Sequence, residues 1–197
     1  WSWFVLSVAG CAVLLAVTNA MTLDIAPVPL LWVLPLSVYL LSFVVTFKRQ
    51  VYYPSWVRSL LPWALLVGVL LHLMGQLRLS LPAWLSILLH LLILFCACMN
   101  CSGRLILAKP GNPRHLTLFY LVMAVGGLVG SGVVSWIFPL VSSSLLEYPV
   151  SLVLVAVSMA IGERYGRDSA PTPASRTGVG WDTAVGLLVV LLALTAA

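Results

Sequence analysis

The side chains best suited to ligand chemistry in this chain are two acids and an amide beside apolar stretches. Asn19 lies at the end of the first apolar stretch, Asp24 follows that stretch, and Glu147 directly precedes a later one. An acid at the start of a helix is stabilised by the positive end of the helix dipole, so one interpretation is structural. If the stretches pack together, a second interpretation is that Asn19, Asp24 and Glu147 form an anionic site for a small cation such as a polyamine.

Two histidines lie inside apolar stretches, where ionisable groups are candidates for function. His72 is near the end of the third stretch, and His90 is in the first half of the fourth. On antiparallel neighbouring helices their depths differ by only about 5 Å, so they are candidate ligands for haem b. Leucines crowd both positions, which favours hydrogen bonds between helices as the alternative. Haem b is the one cofactor that the sequence suggests, and no metal-ion site is predicted.

Three cysteines, Cys96, Cys98 and Cys101, are closely spaced in the fourth stretch. On a helix Cys98 and Cys101 share a face, while Cys96 points about 160° away from Cys98. One helix therefore does not present all three to a metal ion, and structural zinc normally needs a full tetrahedral ligand set. We interpret the cysteines as small packing residues, with reversible acylation at the membrane interface as the alternative.

Small residues recur at helical spacing in the fifth stretch. Gly126 and Gly130 are four positions apart, as are Gly127 and Ser131. Such a face allows a second helix to approach closely, which is how membrane helices associate without a hydrophobic driving force. The pattern predicts tight helix packing at these four residues, and the alternative is a substrate groove or a hinge.

The composition decides the class of protein that must position these residues. Of the 197 residues, 62% are hydrophobic and 8% are charged, and the mean hydropathy is +1.12. So few charged side chains do not cover the surface of a water-soluble globule. A soluble enzyme, a disordered chain and a disulfide scaffold are therefore excluded. We predict an all-α fold, a polytopic bundle of transmembrane helices in a lipid bilayer.

Seven apolar stretches are long enough, or nearly so, to cross about 30 Å of hydrocarbon at about 1.5 Å per residue. They cover residues 3–21, 28–47, 60–76, 81–101, 115–141, 148–162 and 183–197. The predicted domains are a six-span bundle over 1–162, a flexible cytoplasmic linker over 163–182, and the start of a seventh span over 183–197, which is expected to be truncated. Pro35 lies inside the second stretch and is expected to kink it.

Lysines and arginines are distributed unevenly among the connections between these spans. From the first connection to the sixth they number 0, 3, 1, 3, 0 and 3. Basic loops stay on the cytoplasmic side of a membrane. We therefore expect a bacterial inner-membrane protein with its basic loops inside and the loops of Asp24 and Glu147 outside. Because the bases are dispersed in short loops, the net charge of +5 does not indicate nucleic acid as a partner.

Three ordered motifs lie at the ends of these spans. They are Asp24-Ile25-Ala26-Pro27 with residues 29–43, residues 113–121 with Gly126-Gly127, and residues 146–149. Together they resemble the membrane domain of bacterial fused major-facilitator/spermidine-synthase-like proteins. The resemblance implies a membrane scaffold that is commonly joined to an aminopropyltransferase-like domain, and it assigns no catalytic residue. Residues 101–105 depart from the family pattern, which has a histidine and a glutamate where this chain has Ser102 and Arg104.

Three functions are compatible with these observations. The leading hypothesis is a non-catalytic scaffold or subunit of a larger membrane complex, because no paired catalytic constellation is present and the fifth span has a face for packing. The second is a transporter-like or substrate-delivery domain for a small cation, which depends on the resemblance and on Asp24 and Glu147. The third is an electron-transfer subunit with haem between His72 and His90.

Overall fold

The protein is seen in a computed structural model that describes residues 2–25, 30–48, 53–77, 79, 81–110, 113–141, 147–167 and 186. All regular secondary structure in these ranges is helical, which confirms the all-α prediction for them. The helices are α1 (Ser2–Ile25), α2 (Val33–Thr46), α3 (Ser55–Gln76), α4 (Ala83–Leu107), α5 (Pro113–Gly132), α6 (Phe138–Val141) and α7 (Glu147–Arg167). A π-helical segment, Val133–Ile137, joins α5 to α6 without a break.

Four of the described helical segments are long and apolar enough to cross a membrane. They are Ser2–Leu23, Ser55–Gln76, Ala83–Leu107 and Arg114–Ile137. Val33–Thr46 and Glu147–Ala160 are apolar but shorter. The seventh predicted span, 183–197, lies outside the described residues except for Gly186. A Cβ added to Gly186 would be 3.5 Å from Ala156 Cβ on α7.

Helix α1 lies at the centre of the bundle and packs against α4, α5 and α7. Its small residues explain this position, because Ala9, Ala16 and Ala20 recur along one face and let neighbouring helices come close. All three are buried, as is Val13 between them. Helices α2 and α3 both pack on α4, and α3 also contacts α7.

One end of the bundle is defined by contacts between the start of α1 and the ends of other helices. Trp3 Nε1 donates to the carbonyl oxygen of Ala108, just beyond α4, at 2.9 Å. The Trp3 ring also packs edge-on against Phe119 of α5, with ring centroids 5.3 Å apart. Arg104 Nη1, in the last turn of α4, donates to the carbonyl oxygen of Met159 in α7 at 2.7 Å.

The lysines and arginines whose side chains the structure describes all lie at this end, which we call the basic end. Each lies in a first turn, in a last turn or directly beyond a helix whose terminus is at that end. Four of the five are exposed, and Arg104 is half-buried. The five are Lys48, Arg58, Arg104, Lys109 and Arg114.

Helix α2 is shorter than its predicted span and begins later. It starts at Val33, so Pro35 lies in the first turn of the helix and not in its interior. A proline is tolerated there because the missing N–H would have no partner within the helix. The predicted kink at Pro35 is therefore wrong. Leu30 precedes the helix with a φ of 75°, a left-handed conformation that is costly for a residue with a Cβ.

The fifth predicted span, 115–141, contains an irregularity that was not predicted. Over Val133–Ile137 the helix widens to a π-helix, and the N–H of Phe138 donates to the carbonyl oxygen of Val133, five positions back. Proline at 139 lacks the N–H that would continue the regular α-helical pattern. Insertion of a π-helical turn is a common response where that pattern is interrupted.

Helix α7 extends beyond the predicted end of the sixth span. It continues to Arg167, whereas the span was predicted over 148–162 and the linker over 163–182. The first part of that predicted linker is thus helical. The rest of it lies outside the described residues.

Candidate functional site

Two of the three predicted cation-binding residues contact each other at the end of the bundle opposite the basic end. Asn19 Nδ2, near the end of α1, donates to Glu147 Oε1 in the first turn of α7 at 2.9 Å. Both side chains are half-buried. Asp24 lies in the last turn of α1, but its side chain is outside the described set. The structure therefore joins Asn19 and Glu147, which are far apart in the sequence.

The chemistry of this pair suits a cation. A carboxylate has about four acceptor positions, and one neutral amide donor occupies one of them. Glu147 also lies at the start of α7, where the helix dipole stabilises negative charge. The five basic side chains described above lie at the other end of the bundle, so none of these five neutralises the carboxylate.

Beside Glu147, the ring of Tyr148 contacts both predicted histidines. Its centroid is 6.1 Å from that of His72 on α3 and 5.5 Å from that of His90 on α4. His90 Nδ1 donates to the carbonyl oxygen of Ser86 at 2.8 Å. A carbonyl oxygen only accepts, so Nδ1 carries the proton in this arrangement. This hydrogen bond lies within α4, and the Tyr148 ring is a contact of His90 with another helix.

This packing does not favour haem between the two histidines. The Tyr148 ring is only 2% exposed and occupies space against both imidazoles. An axial histidine needs the porphyrin directly against its ring nitrogen, so a macrocycle would have to displace Tyr148. On α3, Gly68 is equally tightly covered, because a Cβ there would be 2.9 Å from Leu152 Cδ1.

The glycines of α5 lie against the backbone of α1. A Cβ on Gly130 would be 2.6 Å from the carbonyl oxygen of Val8, and one on Gly126 would be 3.0 Å from that of Phe4. A Cβ on Gly127 would meet side chains only, with Cys11 Sγ at 3.2 Å and Ser7 Oγ at 3.9 Å. The two helices are thus in backbone contact, the kind of approach that small residues allow.

Hydroxyl groups accompany this glycine face. Ser7 Oγ on α1 donates to the carbonyl oxygen of Met123 on α5 at 2.6 Å, which adds a hydrogen bond across the interface. Ser131 Oγ donates to the carbonyl oxygen of Leu128 within α5 at 3.0 Å, and its side chain is half-buried.

The cysteines of α4 are inside the bundle. Cys96, Cys98 and Cys101 are free thiols and buried. Burial of these thiols agrees with the packing interpretation, whereas acylation would require them to be accessible. Among the residues that the structure describes, no three or more histidines, cysteines and acids are arranged to hold a metal ion.

A buried amide on α4 was not among the predicted site residues. Asn100 has no exposed surface. Its Nδ2 donates to the carbonyl oxygens of Val57 at 3.0 Å and Cys96 at 2.8 Å, and its Oδ1 accepts from the Tyr53 hydroxyl at 2.8 Å. An amide in the middle of an apolar helix is a recognisable sequence signal. This signal indicates that Asn100 needs hydrogen-bond partners, but it does not indicate which helix supplies them.

Tyr53 lies just before α3 at the basic end, and its ring packs on Gly103 of α4. A Cβ on Gly103 would overlap the Tyr53 ring, with Cε2 at 2.7 Å. Burial raises the pKa of the Tyr53 phenol above its usual value, and the Arg104 guanidinium opposes that rise. The phenol is therefore protonated at neutral pH and acts as the donor to Asn100.

Comparisons of the chain with family models, with curated proteins and with solved structures find no match. The resemblance to fused major-facilitator/spermidine-synthase-like proteins stays a prediction from the motifs. A function for this chain therefore has to be inferred from the geometry of the bundle, of the Asn19–Glu147 pair and of the Asn100 cluster.

Proposed function

We propose that this chain is a polytopic membrane protein without catalysis of its own, which serves as a scaffold or subunit of a larger membrane assembly. The observation that carries this proposal is the kind of acceptor to which its buried hydroxyl groups donate. Four buried hydroxyl groups of the described helices each donate to a carbonyl oxygen of their own helix, a structural use of the polar group. These hydroxyls are those of Ser42, Thr46, Ser151 and Ser158.

The serine–histidine pair on α4 also lacks the arrangement of a nucleophile and its base. Ser86 Oγ lies 3.4 Å from His90 Nδ1, but that nitrogen donates to the Ser86 carbonyl oxygen. A general base must offer a lone pair to the hydroxyl proton. With its proton on Nδ1, the His90 imidazole offers none there.

The proposal includes a membrane topology. About seven spans in a bacterial inner membrane, with the basic end in the cytoplasm, follow from the apolar stretches and from the positive-inside rule. The position of the described bases at a single end of the bundle supports this orientation. Exposed tryptophans near helix termini suit the headgroup region on both sides. They include Trp32, Trp56, Trp84 and Trp136.

The first test is isolation of the native assembly. The chain, tagged and expressed at its natural level, is expected to leave the membrane in a mild detergent with stoichiometric partner subunits. Native mass spectrometry should then give a mass well above the 21.3 kDa of the chain plus bound detergent. A harsher detergent applied to the same membranes is the control that dissociates the assembly. Recovery of only the free monomer in the mild detergent would contradict the scaffold proposal.

The Asn19–Glu147 hydrogen bond favours a second candidate function, binding of a small cation such as a polyamine. The pair holds a half-buried carboxylate between α1 and α7, at the end remote from the five bases whose side chains are described. Desolvation around a carboxylate strengthens its interaction with an ammonium group. Asp24 is predicted to add a second negative charge to the same end.

For this candidate we expect the substitution Glu147→Gln to weaken spermidine binding about tenfold or more, since a charge-assisted hydrogen bond contributes about 1.5–3 kcal/mol. Asp24→Asn is expected to have a smaller effect in the same direction. Binding is measured by isothermal titration calorimetry on the purified full chain. Glu163→Gln is the matched control, because it is the same substitution on the same helix toward its other end. Unchanged affinity in both Glu147→Gln and Asp24→Asn would rule out the cation site.

A further inference from the structure

A cavity of about 280 Å³ opens on the side of the bundle near the basic end. Helix α2 packs on α4 and α5 packs on α1, so α2 and α5 form its two walls while α1 and α4 form its floor. We call it the lateral cleft. Its walls and floor include Tyr39 and Phe43 of α2, Ala124 of α5, Cys11 of α1 and Cys101 of α4.

Small side chains keep the lateral cleft open. Gly10 and Gly127 contribute no side chain, and Ala124 contributes a single methyl group. A Cβ on Gly10 would meet only Cys101 Cβ, at 3.9 Å, which is an ordinary contact. The cleft thus has unfilled volume beside the closely packed α1–α5 interface. It is slightly below the range of about 300–1,000 Å³ typical of ligand pockets, so it suits a slender apolar group.

The interior of the cleft is mostly apolar, and basic side chains lie near its rim. Lys48 follows Phe43 by five positions on the α2 side, and Arg114 precedes Tyr120 by six positions on α5. At about 1.5 Å per residue Arg114 lies roughly 9 Å beyond Tyr120 along the α5 axis, and Lys48 lies two residues beyond the last residue of α2. Lys109, just beyond α4, lies at the same end, and all three bases are exposed.

We propose that the lateral cleft binds one acyl chain of an anionic phospholipid, whose phosphate contacts Lys48 and Arg114. This inference rests on the proposed membrane insertion. A cleft that opens sideways at hydrocarbon depth is filled from the bilayer, and water is excluded there. The bases at its rim then select a negative headgroup, as basic sites between membrane helices do on the cytoplasmic side.

The residues that line the cleft suit an acyl chain better than they suit a polar solute. Phe43, Met123 and Ala124 offer apolar surface, while Cys11 Sγ and the Tyr39 hydroxyl lie 3.7 Å from each other. These polar atoms thus already face each other across the α1–α2 boundary. An acyl chain asks for no hydrogen bond, whereas a sugar or a nucleotide would leave its polar groups without partners.

Native mass spectrometry of the purified full chain in detergent tests the site with two probes of identical acyl chains, phosphatidylglycerol and phosphatidylcholine. We expect phosphatidylglycerol to bind about tenfold more tightly, because two bases at the rim attract its net negative charge. The double substitution Lys48→Gln and Arg114→Gln should reduce that preference to near unity. Arg58→Gln, an exposed base at the same end on a helix that does not line the cleft, should leave it unchanged.

A second variant tests the acyl-chain part of the site. Ala124→Phe fills the cleft and should lower the binding of both lipids, whereas Ala83→Phe, an exposed alanine at the other end of α4, should not. If Ala124→Phe does not fold, the charge variants, which change only exposed side chains, still decide the question. Equal binding of the two lipids by the unmodified chain, or a preference that survives the double charge substitution, would overturn the proposal.

Membrane extraction separates this inference from the function on which it depends. Carbonate washing is expected to leave the unmodified chain in the membrane pellet. If the chain is washed out, the proposed membrane insertion fails, and the lipid site fails with it. If the chain stays in the pellet but shows no preference for phosphatidylglycerol, only the lipid site is overturned.

Discussion

Replacing Gly130 by alanine is expected to destabilise the bundle more than any other single methyl addition on the glycine face of α5. The new Cβ would lie 2.6 Å from the Val8 carbonyl oxygen, 3.1 Å from its Cα and 3.2 Å from its carbonyl carbon. All three are backbone atoms of α1, so no rotamer change relieves the clash. The helices must separate, and the hydrogen bond from Ser7 Oγ to the Met123 carbonyl oxygen lengthens with them.

The expected loss in the free energy of unfolding follows from two opposing contributions. Overpacking of a closely packed interface costs about 1–3 kcal/mol, and here the rigid backbone places it toward the upper end. Alanine has a better helix propensity than glycine by about 1 kcal/mol. We expect a net loss of about 1–2 kcal/mol in the free energy of unfolding, and a midpoint lower by about 5 °C.

Thermal unfolding in detergent, followed with a dye that fluoresces when it reacts with thiols, measures this change, because the α4 thiols are buried in the folded state. Gly132→Ala is the matched control on the same helix, since a Cβ there meets nothing within 4 Å. Gly127→Ala should be intermediate, because its neighbour is the Cys11 side chain. A Gly130→Ala midpoint equal to that of Gly132→Ala would show that the two backbones are not in contact.

The order of the helices along the chain was accessible from the sequence because it depends on hydropathy alone. A run of apolar residues of sufficient length predicts a membrane-crossing helix wherever it lies. The exact start of α2 was not accessible, since Pro35 is compatible both with a kink inside a helix and with a first turn. The choice between them depends on the Leu30 turn and on packing against α4.

The pairing of distant residues depends on which helices are neighbours. Asn19, Asp24 and Glu147 were predicted to share a cation site if the helices bearing them pack together, and the contact between α1 and α7 brings Asn19 to Glu147. For Asn100 and Tyr53 the sequence offers no comparable reason to expect a contact. Their contact exists because α3 packs on α4 and because Gly103 leaves room for the Tyr53 ring. The spacing of residues within one helix does not indicate which residues of a second helix they contact.

The Asn100 cluster connects three parts of the basic end. The Asn100 amide joins α4 to the first turn of α3 through the Val57 carbonyl oxygen and to the preceding segment through the Tyr53 hydroxyl. One helical turn further along α4, Arg104 reaches the Met159 carbonyl oxygen of α7. Polar groups in a buried setting hold helices in a defined register, because an alternative arrangement would leave them without partners.

Substitution of Asn100 by leucine is therefore expected to lower the free energy of unfolding by about 1–3 kcal/mol, the usual penalty for leaving a buried polar partner without its hydrogen bond. Leucine has a similar size, so the change removes hydrogen bonds with little change in volume. The Tyr53 hydroxyl loses its acceptor, and the Val57 carbonyl oxygen loses a donor from α4. Thermal unfolding in detergent measures the loss, with the unmodified chain as the reference.

A double-mutant cycle separates this hydrogen bond from general packing. Tyr53→Phe alone should cost less than Asn100→Leu, because Asn100 Nδ2 keeps both of its carbonyl acceptors. Replacing both partners by apolar groups of similar shape removes the stranded hydroxyl, so the double variant should be more stable than the sum of the two losses predicts. We expect a coupling of about 1 kcal/mol between positions 53 and 100. Strict additivity would mean that the Tyr53 hydroxyl and the Asn100 amide do not depend on each other.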